Sequence, residues 1–552
     1  VAVRAPGLLP RGAAVPGPPL PGPSFAGASG HNGSVSSTAA APLPAADRPD
    51  AARALRAALL EAEFTADGLL ELLGAPAYAA LARSETVPAL RATRGDSALE
   101  TLVRLFLLQQ PVPRARLDRV LDVATCLESG WLRAPADDEV AATVDVRPYG
   151  GPEGEDWFIV SDLGCAVGGA GGIGSHDEGV VLGVGGASTT LAGITVRTPV
   201  DSALDIGTGS GIQALHAARH ATHVTATDLN PRALHITGLT LALSGVPAAE
   251  LREGSLYEPV DESGVATYDL IVSNPPFVIS PGARLTYRDG GMGGDDLCRS
   301  IVQGAGEHLN EGGYAQFLAN WQHVEGEEWT ERLRSWVPRG CDAWIVQREV
   351  QDITQYAELW LRDAGDHRTD PAAYVARYDA WLDEFEARKV KAVGFGWITL
   401  RKTSHDEPSI VVEEWPHPVE QPLGDTVRAH FERVDWLRTH DDAALLQSSF
   451  KLSGEVVQEQ VGLPGAEDPE HVVLRQGRGM LRATKVDTVG AGFAGVCDGT
   501  LSAGTILDAI AQLMGEEAVL LRDRTPAQIR TLVEQGFLDP ATPPSPAPDP
   551  LG

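Results

Sequence analysis

Ala203-Leu-Asp-Ile-Gly-Thr-Gly-Ser-Gly-Ile-Gln213 is an apolar run that breaks at a glycine-rich turn and resumes as a helix. Glycines at such a junction let the backbone approach a ligand closely and aim the N-terminus of the following helix at it. The dinucleotide fingerprint G-x-G-x-x-G, read from Gly207, requires glycine at position 212, where the chain has Ile212. A nicotinamide cofactor is therefore disfavoured. Beyond the turn, the pattern predicts a helix from Ile212 to Arg219, a strand from His223 to Thr227 and a helix from Arg232 to Leu243. It continues with a strand Tyr268 to Val272, a helix Asp295 to Leu309, a strand Gly313 to Ala319, and apolar strands around Ala343 to Val346 and Ala392 to Leu400. Alternation of this kind implies an α/β fold with a parallel sheet covered on both faces.

Asp228 stands at the end of the second strand, followed by Leu229-Asn-Pro231. A carboxylate there can accept both hydroxyls of a ribose; the competing reading is a cap of the following helix through Asn230 and Pro231. Tyr268-Asp-Leu-Ile-Val-Ser-Asn-Pro-Pro-Phe277 is the most specific signal in the chain. The motif resembles that of N-methyltransferases, whose target, an amide or exocyclic amine, has a delocalised lone pair and is a poor nucleophile until acceptors hold its N–H groups. The Asn274 side-chain oxygen and the Pro275 carbonyl can hold two such hydrogens, proline rigidity fixing the carbonyl direction, and Phe277 can stack on a planar target. A Pro-Pro turn that merely ends an edge strand is the alternative.

With these motifs in place, residues of about 180 to 402 resemble class I S-adenosylmethionine-dependent N-methyltransferases. The motifs are similar to those of release-factor glutamine methyltransferases and of nucleic-acid amino methyltransferases. The resemblance implies a Rossmann-like methyltransferase sheet and S-adenosylmethionine as cofactor. It places Asp205, Gly207, Thr208, Gly209 and Gly211 along the methionine and ribose side, and Asp228 on the ribose. Leu229, Ser255, Leu256 and Asn274 complete the implied cofactor site, while Asn274, Pro275, Pro276 and Phe277 form the implied catalytic motif. Transfer would run in line from the sulfonium, with positioning and electrostatics in place of a strong base. One departure is Gly254-Ser-Leu256, where the family often has an acid near the adenine amino group; Ser255 accepts only a weaker hydrogen bond.

The acceptor is open between two classes. Tyr287-Arg-Asp-Gly-Gly-Met-Gly-Gly-Asp-Asp-Leu297 resembles the G-G-x-x-G stretch that follows the motif in glutamine methyltransferases, or simply caps the helix at Asp295. Related RNA guanine methyltransferases commonly carry a histidine after the phenylalanine, where this chain has Val278. The count of 44 basic against 75 acidic residues gives a net charge of −31, which works against blanketing polyanionic phosphate. Pro113-Arg-Ala-Arg116 with Arg119 offers one modest basic patch for RNA or DNA. The reading leans to N5 of a protein glutamine, with an RNA or DNA exocyclic amine (guanine N2 or adenine N6) as the alternative. A third reading, from another class, is a regulatory protein that binds S-adenosylmethionine without turnover.

At 552 residues the chain exceeds one hydrophobic core, and about 150 residues per domain gives roughly three or four units. Val1 to about Ala45 reads as a disordered Pro/Gly/Ala-rich leader without signal-peptide features. Residues 46–135 read as a helical, winged-helix-like domain, with Leu99, Leu102, Val103, Phe106 and Leu107 as a core stripe. Residues 136–199 form a strand-rich connection containing the run Gly164 to Gly186, and 200–402 the catalytic domain. A helical insertion, 354–388, carries Tyr356, Trp360, Tyr374, Tyr378, Trp381 and Phe385, read as the core of a helical hairpin. Residues 422–538 read as a second winged-helix-like domain. It contains a stripe of Ile506, Leu507, Ile510, Leu513 and Met514 and a capping box at Thr525-Pro-Ala-Gln528. Val533-Glu-Gln-Gly-Phe-Leu538 echoes Leu127-Glu-Ser-Gly-Trp-Leu132 in type and order. The tail, 539–552, reads as disordered. No run of about 18 apolar residues is present to span a bilayer. Five dispersed cysteines fit reduced thiols in a cytoplasmic protein. His216, His220 and His223 read as a solvated face, so no metal is expected.

Overall fold

The first module is built from short amphipathic helices: α1 (Pro49–Glu61), α2 (Ala66–Leu81), α3 (Val87–Ala92) and α4 (Ala98–Leu102). The stripe expected as one helix breaks in two. Ser97 and Glu100 form a capping box that opens α4, and a π-helical turn, Val103–Leu107, follows with Phe106 and Leu107 buried. Strand β1 (Val112–Pro113), helices α5 (Arg114–Leu117) and α6 (Val123–Glu128), and strands β2 (Leu132–Ala136) and β3 (Glu139–Ala142) complete it, in the sheet order β1-β3-β2. The arginines of the expected basic patch are held internally. Arg114 pairs with Asp118 at 3.7 Å, Arg119 with Asp96 at 3.2 Å, and Arg116 donates to Thr101 Oγ1 and Gly95 O. A hairpin, β4 (Asp145–Gly150) and β5 (Asp156–Ser161), and helix α7 (Gly186–Ile194) lead into the central sheet.

This computed structural model describes residues 42–81, 83, 85–164, 179–261, 266–281, 292–363, 371–464 and 469–541. Most of the leader, most of the glycine-rich run, Tyr287 to Gly291 of the loop after Phe277, and the tail beyond 541 lie outside the described residues.

The central elements are β6 (Val200–Ile206), α8 (Ile212–Ala217), β7 (Ala221–Asp228), α9 (Pro231–Ser244), β8 (Glu250–Glu253), α10 (Glu258–Asp261) and β9 (Tyr268–Ser273). They continue with α11 (Asp296–His308), β10 (Leu309–Val324), α12 (Trp329–Arg334), β11 (Cys341–Asp352), α13 (Ile353–Asp363), β12 (Val390–Lys402) and β13 (Ile410–Glu414). The strand order is β13-β11-β12-β10-β9-β6-β7-β8. Strands β6 to β10 pair in parallel, and β12 runs antiparallel to both its neighbours. This is the Rossmann-like α/β sheet expected from the sequence. Successive residues point to opposite faces, and both faces are buried, which is why the strands read as continuous apolar runs. Ile271, Phe317 and Ile398 join one core with Leu297, Ile301 and Val302 of α11. Leu270, Val272, Leu318 and Trp397 join the other with Leu191 and Ile194 of α7 and Val427 and Phe431 of the helix Gly424–Thr439. Ala233, Ile236, Leu239 and Leu243 of α9 share a third core with the N-terminal module.

The insertion is a helical hairpin, α13 and Pro371–Ala387, with Tyr356, Trp381 and Phe385 buried in its core. The C-terminal module places the helices 424–439, 442–447, 488–496, 503–514, 518–524 and 526–534 around two three-stranded sheets. Two sequence expectations fail there. Ile506 and Leu507 are buried, but Leu513 is 87% exposed and Met514 is exposed. Thr525 has helical φ and ψ and its side chain accepts no cap bond; its N–H donates to Leu521 O, so the two helices abut without a capping box. The six-residue echo does have a structural basis. Gly130 (φ +82) and Gly536 (φ +79) each terminate a helix, followed by a buried aromatic, Trp131 or Phe537, and a strand.

Candidate active site

The chain runs from β6 outward to β7 and β8, then crosses back to β9 on the other side of β6, which puts a topological switch point between β6 and β9. In open α/β sheets ligands bind outside the C-terminal strand ends at such a point. Every site residue singled out in the sequence sits at the C-terminal end of β6, β7, β8 or β9.

Gly207, Gly209 and Gly211 adopt φ of +69, +57 and +82, a region that L side chains rarely enter. A Cβ at Gly207 or Gly209 would meet nothing within 4 Å, whereas one at Gly211 would lie 3.0 Å from Thr237 Cα. The first two glycines therefore border open space, and the third lets the loop close onto α9. Asp205 is 1% exposed and lies beneath the loop: its Oδ2 accepts from Thr208 Oγ1 at 2.7 Å and from Ala214 N at 3.0 Å. Burial outweighs these bonds and pushes its carboxyl up to about 7. The loop is pinned to β7 by Gly207 and Thr208 N–H donating to Thr227 O.

Asp228 Oδ2 accepts from Gly209 N at 3.0 Å and Oδ1 from Asn230 N at 2.9 Å. The cap of α9 is Asn230, whose side chain accepts from Arg232 N. Burial raises the Asp228 carboxyl, against the backbone hydrogen bonds. Leu229 beside it is 68% exposed. Gly254 N donates to Asp228 O at 3.1 Å, which brings Ser255 and Leu256, the latter at φ +50, beside the same strand end.

β9 is locked to β6 by Ser273 Oγ, which donates to Ile206 O at 2.7 Å. Asn274 follows, its Nδ2 donating to Ser188 Oγ of α7 at 3.3 Å, while its Oδ1 is buried without a hydrogen-bond partner among the described residues. Pro275 is buried, and Pro276 and Phe277 are half-buried, with Phe277 packed against both sheet cores. Beyond them, Ile279 N donates to the hydroxyl of Tyr356 at 2.9 Å, and Asn320 Nδ2 donates to the same oxygen at 3.1 Å.

Residues 185–333 match the methyltransferase small domain. Two domains of unknown function match the flanks, DUF7059 over residues 61–143 and DUF7782 over 428–540. The chain is 31% identical over 155 residues to ribosomal protein uL3 glutamine methyltransferase of Bradyrhizobium diazoefficiens, covering 25% of this chain and 47% of that protein. It is 39% identical over 129 residues to release factor glutamine methyltransferase of Cereibacter sphaeroides, covering 21% and 45%. It is 30% identical over 137 residues to ribosomal RNA small subunit methyltransferase C of Shigella flexneri, covering 24% and 35%. The matched stretch thus spans less than half of each of these relatives.

The methyltransferase small domain match begins at α7, and it is there that sequence reasoning missed a contributor. Ser188 reaches Asn274, and Gln213 Nε2 secures Ser188 by donating to its carbonyl at 2.8 Å. Thr237 on α9 was missed too; its Oγ1 donates to Gly209 O at 3.1 Å. The histidine reading needs correction. His223 is exposed, but His216 is buried between Tyr149 OH at 3.0 Å and Arg197 Nη2 at 3.1 Å, and burial with the nearby Arg197 drops it to about 3. Among the described residues, no group of three or more His, Cys, Asp or Glu is placed to hold a metal ion.

Proposed function

We propose that this protein methylates a planar amide or amino nitrogen with S-adenosylmethionine, and that the acceptor is N5 of a glutamine side chain in a protein. The observation that carries the reading is Asn274 Oδ1, a buried acceptor at the end of β9 without a partner among the described residues. A buried carbonyl in that state is costly, and an incoming N–H relieves the cost.

The residues present fit the cofactor. Gly207 and Gly209 border open space, and the Asp228 carboxylate keeps acceptor capacity for a ribose hydroxyl beyond its backbone hydrogen bonds. Asp205 supports this cradle from below. When bound, S-adenosylmethionine supplies an electrophilic methyl carbon. Asn274 Oδ1 and the Pro275 carbonyl hold the target N–H groups, which localises the nitrogen lone pair, and Phe277 forms a fixed wall for the planar group. Ser188 orients the Asn274 amide. Tyr356 anchors the backbone just beyond the motif.

A nucleic-acid amine is the second reading, favoured by the match to a ribosomal RNA methyltransferase. Against it stand the net charge of −31 and the internal pairing of Arg114, Arg116 and Arg119. Label transfer from methyl-tritiated S-adenosylmethionine into a cell extract, followed by separate protease and nuclease digestion, tests the proposal. Protease-sensitive label that Asn274→Ala abolishes is expected. Nuclease-sensitive label would move the acceptor to RNA or DNA, and absence of transfer with cofactor binding intact would make the chain a binding protein.

A further inference from the structure

In the C-terminal module, a cavity of about 350 Å³ opens between the helix Gly424–Thr439 and the turns around Ser453, Gly479 and Gly536. Four arginines line it (428, 433, 478 and 482) against three carboxylates, Asp425, Glu534 and Asp539, a local reversal in a chain of net charge −31. Three of those guanidiniums are already satisfied. Arg428 pairs with Asp425 and Glu432, Arg478 with Glu455 at 2.7 Å, and Arg482 with both oxygens of Glu413.

Arg433 differs. Its side chain is 13% exposed, its Nε is buried without a hydrogen-bond partner among the described residues, and its ion pair with Asp539 is long, Oδ1 lying 3.7 Å from Nη1, beyond hydrogen-bond reach. The other Asp539 oxygen is engaged by Ser453 Oγ at 2.7 Å. Keeping a guanidinium out of water without hydrogen bonds is costly unless something anionic completes it. One turn earlier on the same helix, His430 stacks on Trp344 at 4.3 Å, and burial with the surrounding arginines keeps it neutral, down to about 3. Gly536 flanks the guanidinium at φ +79, and a Cβ there would come 3.0 Å from Arg433 Nη2. A side chain would crowd a guanidinium that makes no hydrogen bond among the described residues.

We propose that this cavity binds a small oxyanion-bearing molecule, a phosphomonoester or a carboxylate, whose anionic group is received by Arg433. The volume lies at the lower end of the ~300–1,000 Å³ of small-molecule sites. The acidic chain as a whole repels polyanions, which selects a small ligand over a nucleic-acid backbone.

Calorimetric titration of the full chain with inorganic phosphate, and separately with acetate, tests this. Saturable one-to-one binding is expected, tighter for phosphate if the ligand is a phosphomonoester and tighter for acetate if it is a carboxylate. Arg433→Gln should weaken the preferred anion by about tenfold or more, the worth of a charge-assisted hydrogen bond. Arg522→Gln, at an exposed arginine outside the cavity held by Asp508, should leave affinity nearly unchanged. Asp539→Asn removes the competing carboxylate and should tighten binding. No saturable heat with either anion, or equal affinity in Arg433→Gln, overturns the proposal. Should Arg433→Gln fail to fold, Asp539→Asn decides, and unchanged or weaker binding in that variant is equally fatal.

Discussion

Asn274 and Ser188 meet at 3.3 Å, the amide nitrogen donating to the hydroxyl, and this contact engages Asn274 Nδ2 while its buried Oδ1 has no partner among the described residues. Ser188 is itself fixed by Gln213 from α8. Replacing Asn274 with Ala should lower turnover by about 10²–10³-fold, the typical cost of removing a preorganised polar group at a reacting centre. Ser188→Ala should lower kcat by about 3–10-fold, one neutral hydrogen bond's worth, with Ser188→Thr restoring part of it. Cofactor affinity measured by calorimetry should stay the same in both; a parallel loss would move these residues from acceptor positioning to cofactor binding.

Asp228 has a different predicted signature. Asp228→Ala removes the acceptor for Gly209 N as well as the proposed ribose contact, and should raise the Kd for S-adenosylmethionine by about 10–100-fold. Asp228→Asn, which keeps one acceptor oxygen, should fall between. Unchanged affinity in the alanine variant would show that Asp228 serves only the loop.

Tyr356 joins the helical insertion to the segment after the motif, receiving Ile279 N–H while fully buried. Tyr356→Phe leaves a buried N–H unsatisfied, and should cost about 1–3 kcal/mol of stability in urea unfolding. It should also lower kcat more than it raises the Kd for cofactor. A stability loss with kcat untouched would confine the insertion to a structural role.

Two buried groups give opposing pH dependences. Asp205, raised from 3.8 to about 7, keeps its proton in the folded state over that window while the unfolded chain loses it, so its contribution to stability falls as pH rises from about 4 to about 7. His216, lowered from 6.5 to about 3, contributes stability that is present above about 6.5 and lost as pH falls toward 3. In unfolding free energies measured across pH, Asp205→Asn should steepen the rise of stability with pH, and His216→Gln should flatten it. The same slope in wild type and both variants would show that neither group titrates as its surroundings dictate.

The sheet and the strand ends that carry the candidate site were legible because local rules decide them. The glycine turn after Ile206, the acid after Thr227 and the Asn-Pro-Pro-Phe turn each sit where a strand must end. What was not legible depends on distant chain. Helix α7 is hidden by Gly185-Gly186 and Thr189-Thr190, poor helix formers that tertiary packing overrides. His216 looked solvated because its neighbours on α8 do not reveal that Tyr149, 67 residues earlier, covers it. Likewise a helical stripe tells which residues share a face, but not where the cover ends; Leu507 is buried and Leu513 is bare.

The helix Gly424–Thr439 and α7 lie against the same face of the sheet, joined where Leu423 N donates to Gly193 O at 2.6 Å. The consequence concerns what can be separated from what. A protease that cuts the exposed stretch Ser404 to Glu407 severs the chain between β12 and β13, leaving the edge strand β13 on the piece that carries the C-terminal module. It should nonetheless release no soluble fragment under native conditions, because Val427 and Phe431 would have to leave an apolar surface open to water. The two pieces should migrate as one species until denaturant is added, and a gene fragment ending near residue 402 should yield inclusion bodies rather than a working catalyst.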